Sequence, residues 1–575
     1  MNNRTKQIIV VVAVFVLALA SLGTVIGLIA TTGRLEEYAN GFYFTLSGSR
    51  ATITAYDGDD TDIVIPERLR GNRVVGVGEK AFTNKASTIK SITINSTYTE
   101  FVLADEAFKD MTALEKVVLP KNLKKISASA FSGCVALRQI IIPNTVTEIG
   151  NNTFYACSNL IFAYSSEDYS TEGDDAIDEE IFYMPSGLLK IGASAFEECR
   201  SLIGAYFNKD LEELGDKAFY GATAFTELTV AKDCELATIG ASAFQNTKLR
   251  SSNDYPLEFP RLVSIGDSAF SGVTTNFRQF TVPATVTSIG KEAFKGITTL
   301  TTVSFQDGSK LETMGEGVFQ GCTYLTSIVL PESMKEIPSK AFMGCTRLLY
   351  NNEFKIGKNV ETIGDGAFAI YSPDTISYSR YALTVDNENE NFAILTLQTF
   401  SKNVNGSSSP STGYKHGLLV SSDPDNVAVY AYYGAFDGNS FNTGAEENSL
   451  DRTSFMFYDE NGSIVNSITE IKGYAFAGVA FDMIRLPKTV TLLGEYVFFN
   501  SNVRDVCIES ISWEWQTNTF DLQEESSDDD DKLTVLILRS IGASAGAVSD
   551  FMEALSADGI YSGRIDWNRA PSGSN

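Results

Sequence analysis

Histidine is almost missing from this chain: His416 is the one copy in 575 residues. Chemistry that needs a His base, a His–Cys pair or several His metal ligands is therefore excluded or confined to one position. Cations are also scarce, with 45 Lys and Arg against 72 Asp and Glu, for a formal net charge of −27. Releasing the counterions of phosphates takes a Lys/Arg surface, so no nucleic-acid partner is expected. The G-x-S-x-G, H-E-x-x-H, P-loop and dinucleotide motifs do not occur in a suitable context. The sequence thus implies no enzyme, no catalytic residue, no metal and no cofactor. A two-acid glycosidase pair stays open, because carboxylate pairs are common in so acidic a chain.

What is present is enough apolar residue to fold. With 43% hydrophobic, 11% aromatic and 20% charged residues, the composition lies far from that of disordered chains. One apolar run stands apart. Ile8 to Ala30 is 23 residues without charge, preceded by Arg4 and Lys6 and followed by Arg34, Glu36 and Glu37. That length spans a bilayer. The basic residues on its short side place the N-terminus in the cytoplasm and the rest outside. The expected location is the cell surface, anchored through residues 8–30. The small-x-small phrase Ala18-Leu19-Ala20 keeps a cleaved signal peptide open, and cleavage after Ala20 would give a secreted protein.

The rest of the chain repeats. A phenylalanine follows a small residue at Phe82, Phe108, Phe131, Phe154, Phe196, Phe219, Phe244, Phe270, Phe294, Phe319, Phe342, Phe368, Phe476 and Phe498, mostly at gaps of 22 to 26 residues. Each carries the same phrase, seen cleanly in LRQIIIPNTVTEIGNNTFYAC (Leu137 to Cys157) and again in LTSIVLPESMKEIPSKAFMGC (Leu325 to Cys345). The I-x-I portion has the period of a short strand with one buried face, and it stops at a proline. Glycine after the next Ile, at Gly78, Gly150, Gly192, Gly240, Gly266, Gly290 and Gly364, suits either positive φ or tight packing. The A-F-x-x-C-x-x-L portion has three-residue spacing, which predicts one helical or 3-10 turn. One unit is too small to bury its own Leu, Ile and Phe, so stacking must do it. The expected fold is a repeat solenoid, a leucine-rich-repeat-like right-handed coil of about fifteen turns. It is built mainly of short parallel β-strands, with the phenylalanines as a structural ladder.

Cys134, Cys157, Cys199, Cys322 and Cys345 each lie three residues after a ladder phenylalanine. Neighbouring coils, about 5 Å apart, would bring such cysteines within disulfide reach. Other coils place Ile, Val or Thr at that position, as a core site would, and this favours free buried thiols.

The repeated phrase resembles the BspA-like leucine-rich repeat, a class found in bacterial surface proteins and some parasitic protists. The resemblance runs from about Gly41 to Trp567. Its opening coil is FTLSGSRATITAYDGDDTDIVIPERLRGNRVVGVGEKAF, Phe44 to Phe82. It implies an adhesin or recognition protein whose partners are host or neighbouring-cell macromolecules, protein or glycan. A structural or carbohydrate-binding cell-envelope protein without a protein receptor is the alternative. LTVDNENENFAIL and GLLVSSDPDNVAVYAYY (Leu383 to Leu395, Gly417 to Tyr433) resemble a hairpin that this class inserts, which leaves Ala435-Phe436 open to assignment to the hairpin instead of a coil. Ser127, Pro338 and Lys472 depart from the pattern by replacing the glycine, and Val318 and Val497 by replacing the alanine.

The resulting division is a cytoplasmic stub and anchor (1–33), an N-terminal capping coil (34–78) and a solenoid (79–369) with an acidic insertion (161–187). A hairpin/loop insertion (370–434), further repeats (435–532) and a C-terminal cap and tail (533–575) follow. The acidic insertion carries eight carboxylates and no Lys or Arg. It reads as a solvated loop, or else as a site for a cation or basic partner. In each I-x-I strand the middle residue faces away from the core. That row reads Thr93, Val118, Ile141, Thr229, Thr281, Ser304, Val329 and Arg485. It is either a flat binding face or β-propensity on a regular sheet. Tyr164, Tyr169 and Tyr183, with Tyr371, Tyr378 and Tyr381, are rival contact residues in the insertions.

Overall fold

The computed structural model describes residues 36–165, 182–253, 256–348, 353–369, 382–402, 408–423, 426–434, 454–456, 467–478, 483–501, 505–508, 514–515, 519 and 537–540. The run Ile8 to Ala30, most of the acidic insertion, Phe436, the run Asp528 to Asp531 and the C-terminal tail lie outside these. The chain falls into two compact units, Met1–Asn276 and Phe277–Asn575.

In the first unit most coils contribute two strands and one turn. The longer strands Asp62–Ile65, Ser91–Ile94, Lys116–Val118, Gln139–Ile142 and Phe162–Ser165 pair in parallel, in that order. Their alternate residues, Ile92, Val117 and Ile140 among them, point inward and are fully buried. Two-residue strands form the second sheet: Lys125–Ile126, Glu148–Ile149, Lys190–Ile191, Glu213–Leu214, Thr238–Ile239 and Ser264–Ile265, again parallel. Here the second residue is buried and the first faces out, giving the cross-strand row Lys125, Glu148, Lys190, Glu213. Lys125 pairs with Glu148 at 2.8 Å and Lys190 with Glu213 at 2.8 Å.

The third side is the phenylalanine ladder. From Phe82 through Phe108, Phe131, Phe154, Phe196, Phe219 and Phe244 to Phe270, successive ring centroids lie 5.2–5.6 Å apart. At the start, Tyr56 stacks on Phe82 at 5.9 Å and Phe42 on Tyr56 at 4.9 Å. The strands carrying them, Phe42–Ser47 and Arg50–Tyr56, are antiparallel to each other, and Arg50–Tyr56 then pairs in parallel with Asn72–Val77. This meander covers the first rung, as the end of a solenoid requires.

Beyond the first coil the turn around the ladder phenylalanines is not helical, contrary to the sequence expectation. Among the described residues one 3-10 helix is found, Thr83–Lys85. The reason lies in the backbone. The residue two before each ladder phenylalanine has positive φ, for example Ser129 at 55°, Ser194 at 55° and Lys217 at 55°. From the second rung on, the residue two after it does too wherever it is among the described residues, as in Asp110, Gly133, Ala156, Glu198 and Gly221. A left-handed residue breaks the run of helical dihedrals, so the chain makes successive β-turns. In the first coil Asn84 is not left-handed, and that coil holds the short helix. Each left-handed residue outside glycine costs about 1–2 kcal/mol. Ladder hydrogen bonds offset it: the Phe131 amide donates to the Thr153 carbonyl at 2.9 Å and the Phe108 amide to the Ala130 carbonyl at 2.8 Å.

The glycine after each short strand serves the other purpose foreseen for it, tight packing. A Cβ on Gly266 would lie 2.5 Å from the Ala241 nitrogen of the preceding coil, and one on Gly192 would lie 2.6 Å from the Asn151 nitrogen. Neither position has positive φ.

In the second unit the ladder runs through Phe294, Phe319, Phe342 and Phe368 at 5.4–5.8 Å. The Gly366 amide then donates to the Gly473 carbonyl at 3.1 Å, so the coil ending near Ala369 stacks on the coil of Phe476. Phe476 stacks in turn on Phe498 at 6.2 Å. Between them the chain forms an antiparallel meander of Phe392–Lys402, Ser408–Ser421 and Val427–Gly434. Its last strand pairs in parallel with Ile468–Ile471. Lys472 can replace the usual glycine there because the backbone before it is this meander: its amide donates to the Val429 carbonyl at 2.9 Å, and its ammonium pairs with Glu470 at 2.7 Å. The units together hold about 13 turns of parallel solenoid, fewer than the fifteen expected.

Candidate functional site

The ladder phenylalanines are all buried, most of them completely. They are core, so a binding site must lie on outward positions. The five cysteines that follow the ladder are free and buried. Each thiol donates to the carbonyl of the ladder phenylalanine one coil earlier: Cys134 to Phe108, Cys157 to Phe131, Cys199 to Phe154, Cys322 to Phe294 and Cys345 to Phe319, all at 3.1 Å. Burial pushes Cys134 and Cys322 up to about 12 and raises Cys157, Cys199 and Cys345 as well. A thiol held neutral is neither nucleophile nor metal ligand.

The outward row of the first unit's long sheet is continuous. Val64 sits opposite Thr93, Thr93 opposite Val118, Val118 opposite Ile141 and Ile141 opposite Tyr164. Val64 was not singled out in the sequence, yet it is 56% exposed. Thr93, Val118 and Ile141 are partly exposed. Beyond the insertion, Tyr183 sits opposite Tyr206 and Tyr206 opposite Thr229. The register thus puts Tyr164 and Tyr183 at the row's own position, on strands that flank the insertion directly. Tyr206 was missed by the sequence reading because GAYF (Gly204 to Phe207) lacks the I-x-I signature.

In the second unit Thr281 and Ser304 are opposite each other, with their hydroxyls 3.0 Å apart. Val329 is 78% exposed, but it lies just past its strand, Ser327–Ile328. The Arg485 side chain lies outside the described residues. A polar depression beside Glu312, Lys335, Lys358, Glu361 and Glu388 has its cations engaged already, Lys335 with Glu312 at 3.0 Å and Lys358 with Glu388 at 3.6 Å. Among the described residues there is no group of His, Cys, Asp and Glu that could hold a metal ion, and no helix long and apolar enough to cross a membrane.

Parallel coils of two strands and one Phe turn, buried on a shared ladder, define a leucine-rich-repeat solenoid. The chain belongs to the BspA-type leucine-rich repeat family: the model described as BspA type Leucine rich repeat region matches residues 75–183, 177–257, 263–388 and 449–528, in six copies. Solved structures similar to it include a leucine-rich repeat protein from Bacteroides ovatus, at 17% identity over 92% of this chain and 99% of that one, with a TM-score of 0.44. A leucine-rich cell surface protein from Faecalibacterium prausnitzii shares 23% identity over 59% of this chain and 93% of its own, with a TM-score of 0.36. The leucine-rich repeat protein of T. pallidum shares 25% identity over 37% of this chain and 88% of its own, with a TM-score of 0.30. No curated protein matches.

Proposed function

We propose that this chain is a cell-surface recognition protein, an adhesin, which holds a macromolecule on the outward face of its first unit's long sheet and carries out no covalent chemistry. The observation that carries this reading is a contrast between two sheets. Val64, Thr93, Val118 and Ile141 form an outward row without charge. In the second sheet the coil of Thr93 turns Val102 outward, those of Val118 and Ile141 turn Lys125 and Glu148 outward, and the coils after them Lys190 and Glu213. β-Propensity alone gives parallel strands no reason to differ in this way. An uncharged β-branched row on so acidic a chain is the kind of patch that marks an interface.

Surface display rests on the run Ile8 to Ala30, long enough to anchor the chain. A glycan ligand is the second reading, favoured by Tyr164, Tyr183 and Tyr206 sharing the row's register, since aromatic faces stack on sugars. The test is adhesion of cells displaying the full chain to matrix proteins and to a glycan array, with and without Val118→Lys and Ile141→Lys. Adhesion to protein, abolished by the two lysines, supports the reading. Adhesion that the lysines leave unchanged overturns it. External protease on intact cells checks the topology by releasing the repeat region.

A further inference from the structure

We infer that the occupant of this face is an acidic, partly apolar segment of another protein. The inference rests on the strand-face reading and names the partner's chemistry. Between Glu115 and Glu148 the sequence has no carboxylate but five cations, Lys116, Lys121, Lys124, Lys125 and Arg138, in a chain of net charge −27. Lys125 is taken up by Glu148. Lys116, Lys121, Lys124 and Arg138 are exposed, and none of them makes an ion pair among the described residues.

Their places follow from the coil. Lys116 opens the strand whose third residue is Val118, so it stands on the same outward face. Arg138 precedes the strand of Ile141, at the same end. Lys121 follows Pro120 beyond the opposite end of the Val118 strand, and Lys124 lies just before the second sheet. Val118 and Ile141 are therefore flanked at both strand ends by cations that make no ion pair among the described residues, while the neighbouring Val64 strand opens on Asp62.

A partner must meet both features. A sulfated glycan or a nucleic acid would pair with the cations but leave Val64, Val118 and Ile141 against charged or hydroxylated groups. An apolar segment alone would leave the cations without partners, and a basic one would be repelled. Carboxylates interleaved with apolar or aromatic side chains satisfy the row and its border together, and charge complementarity of this kind sets partner choice and association rate.

The test uses the full chain in detergent and three labelled probes, a random Glu–Tyr copolymer, poly-Glu and heparin, with binding followed by fluorescence anisotropy at physiological salt. The copolymer is expected to bind at least tenfold more tightly than either other probe. Lys116→Gln, Lys121→Gln, Lys124→Gln and Arg138→Gln combined should weaken it at least tenfold, and the three lysines changed to Arg should keep it. Val118→Ser with Ile141→Ser should weaken it as much, all variants retaining the parent's thermal midpoint. Heparin binding as tight as the copolymer, or a copolymer affinity that the Gln variant leaves unchanged, overturns the inference. If the serine variant abolishes cell adhesion while the Gln variant leaves it intact, the strand-face reading survives and the acidic partner falls. If the Gln variant matters and the serine variant does not, both fall.

Discussion

The Cys157 thiol donates its hydrogen to the Phe131 carbonyl across 3.1 Å, one coil back in the stack. The same relationship ties Cys199 to Phe154 and Cys134 to Phe108. The Phe131 carbonyl already accepts from the Cys134 amide at 3.1 Å, so the thiol supplies its second lone pair with a donor inside an apolar ladder, which Ile or Val at that place cannot do.

These thiols should be silent toward a water-soluble disulfide reagent in the folded protein and react once it is unfolded. Fast reaction of Cys134, Cys157 or Cys199 in the native state would contradict their burial. The pH dependence follows from the same cause. Burial raises these groups above an ordinary thiol, so the unfolded chain ionises first. The stability from keeping them neutral is complete below about pH 8.5 and falls as pH rises toward 12, by up to about 1.4 kcal/mol per pH unit for each thiol. Changing Cys134, Cys157 and Cys199 together to Ala should flatten the alkaline fall in urea midpoint. An unchanged slope would assign that fall to other groups.

Phe131 is fully buried between Phe108 and Phe154, at 5.3 and 5.5 Å. Phe131→Ala should cost about 3–5 kcal/mol. Because each coil touches only its neighbours, amide exchange should quicken first in the coils of Phe108 and Phe154. A uniform rise over the whole first unit would instead show that it unfolds as one block.

Gly266 and Ser268 belong to one turn and should respond oppositely. Gly266→Ala drives a Cβ against the Ala241 backbone and should lower stability by about 1–3 kcal/mol. Ser268 has φ of 53°, where glycine is at ease, so Ser268→Gly should be neutral or stabilise by up to about 1 kcal/mol. Thermal melts of the two variants decide the matter. A destabilising Ser268→Gly would mean that its side chain contributes more than its backbone strain costs.

The ladder was legible in the sequence because one residue type recurs at one place in the coil, with Ile-Pro strand ends and the glycine marking the same frame. The turn was not. Three-residue spacing fits a helical turn and a pair of β-turns equally, and only dihedrals separate them. A signal existed: Gly133, Gly221, Gly272, Gly296, Gly321 and Gly344 each stand two residues after a ladder phenylalanine, and glycine recurring there points to positive φ. At the residue two before, Ser, Lys, Glu and Asn adopt the same conformation without any compositional mark. The outward row was legible by alternation where strands read I-x-I. Val64 and Tyr206 became visible only through cross-strand register, and the cations flanking the row only once its strand ends were known.

The row Lys125, Glu148, Lys190, Glu213 gives this stretch a parity. Each coil meets neighbours of opposite sign on that sheet. Excising a single coil, such as the one contributing Glu148, would set Lys125 against Lys190, whereas excising two adjacent coils would restore Lys against Glu. Inside this run, losing the coil of Glu148 or of Lys190 alone creates a like-charge contact and losing the two together does not, so the interior of this stretch is countable in twos.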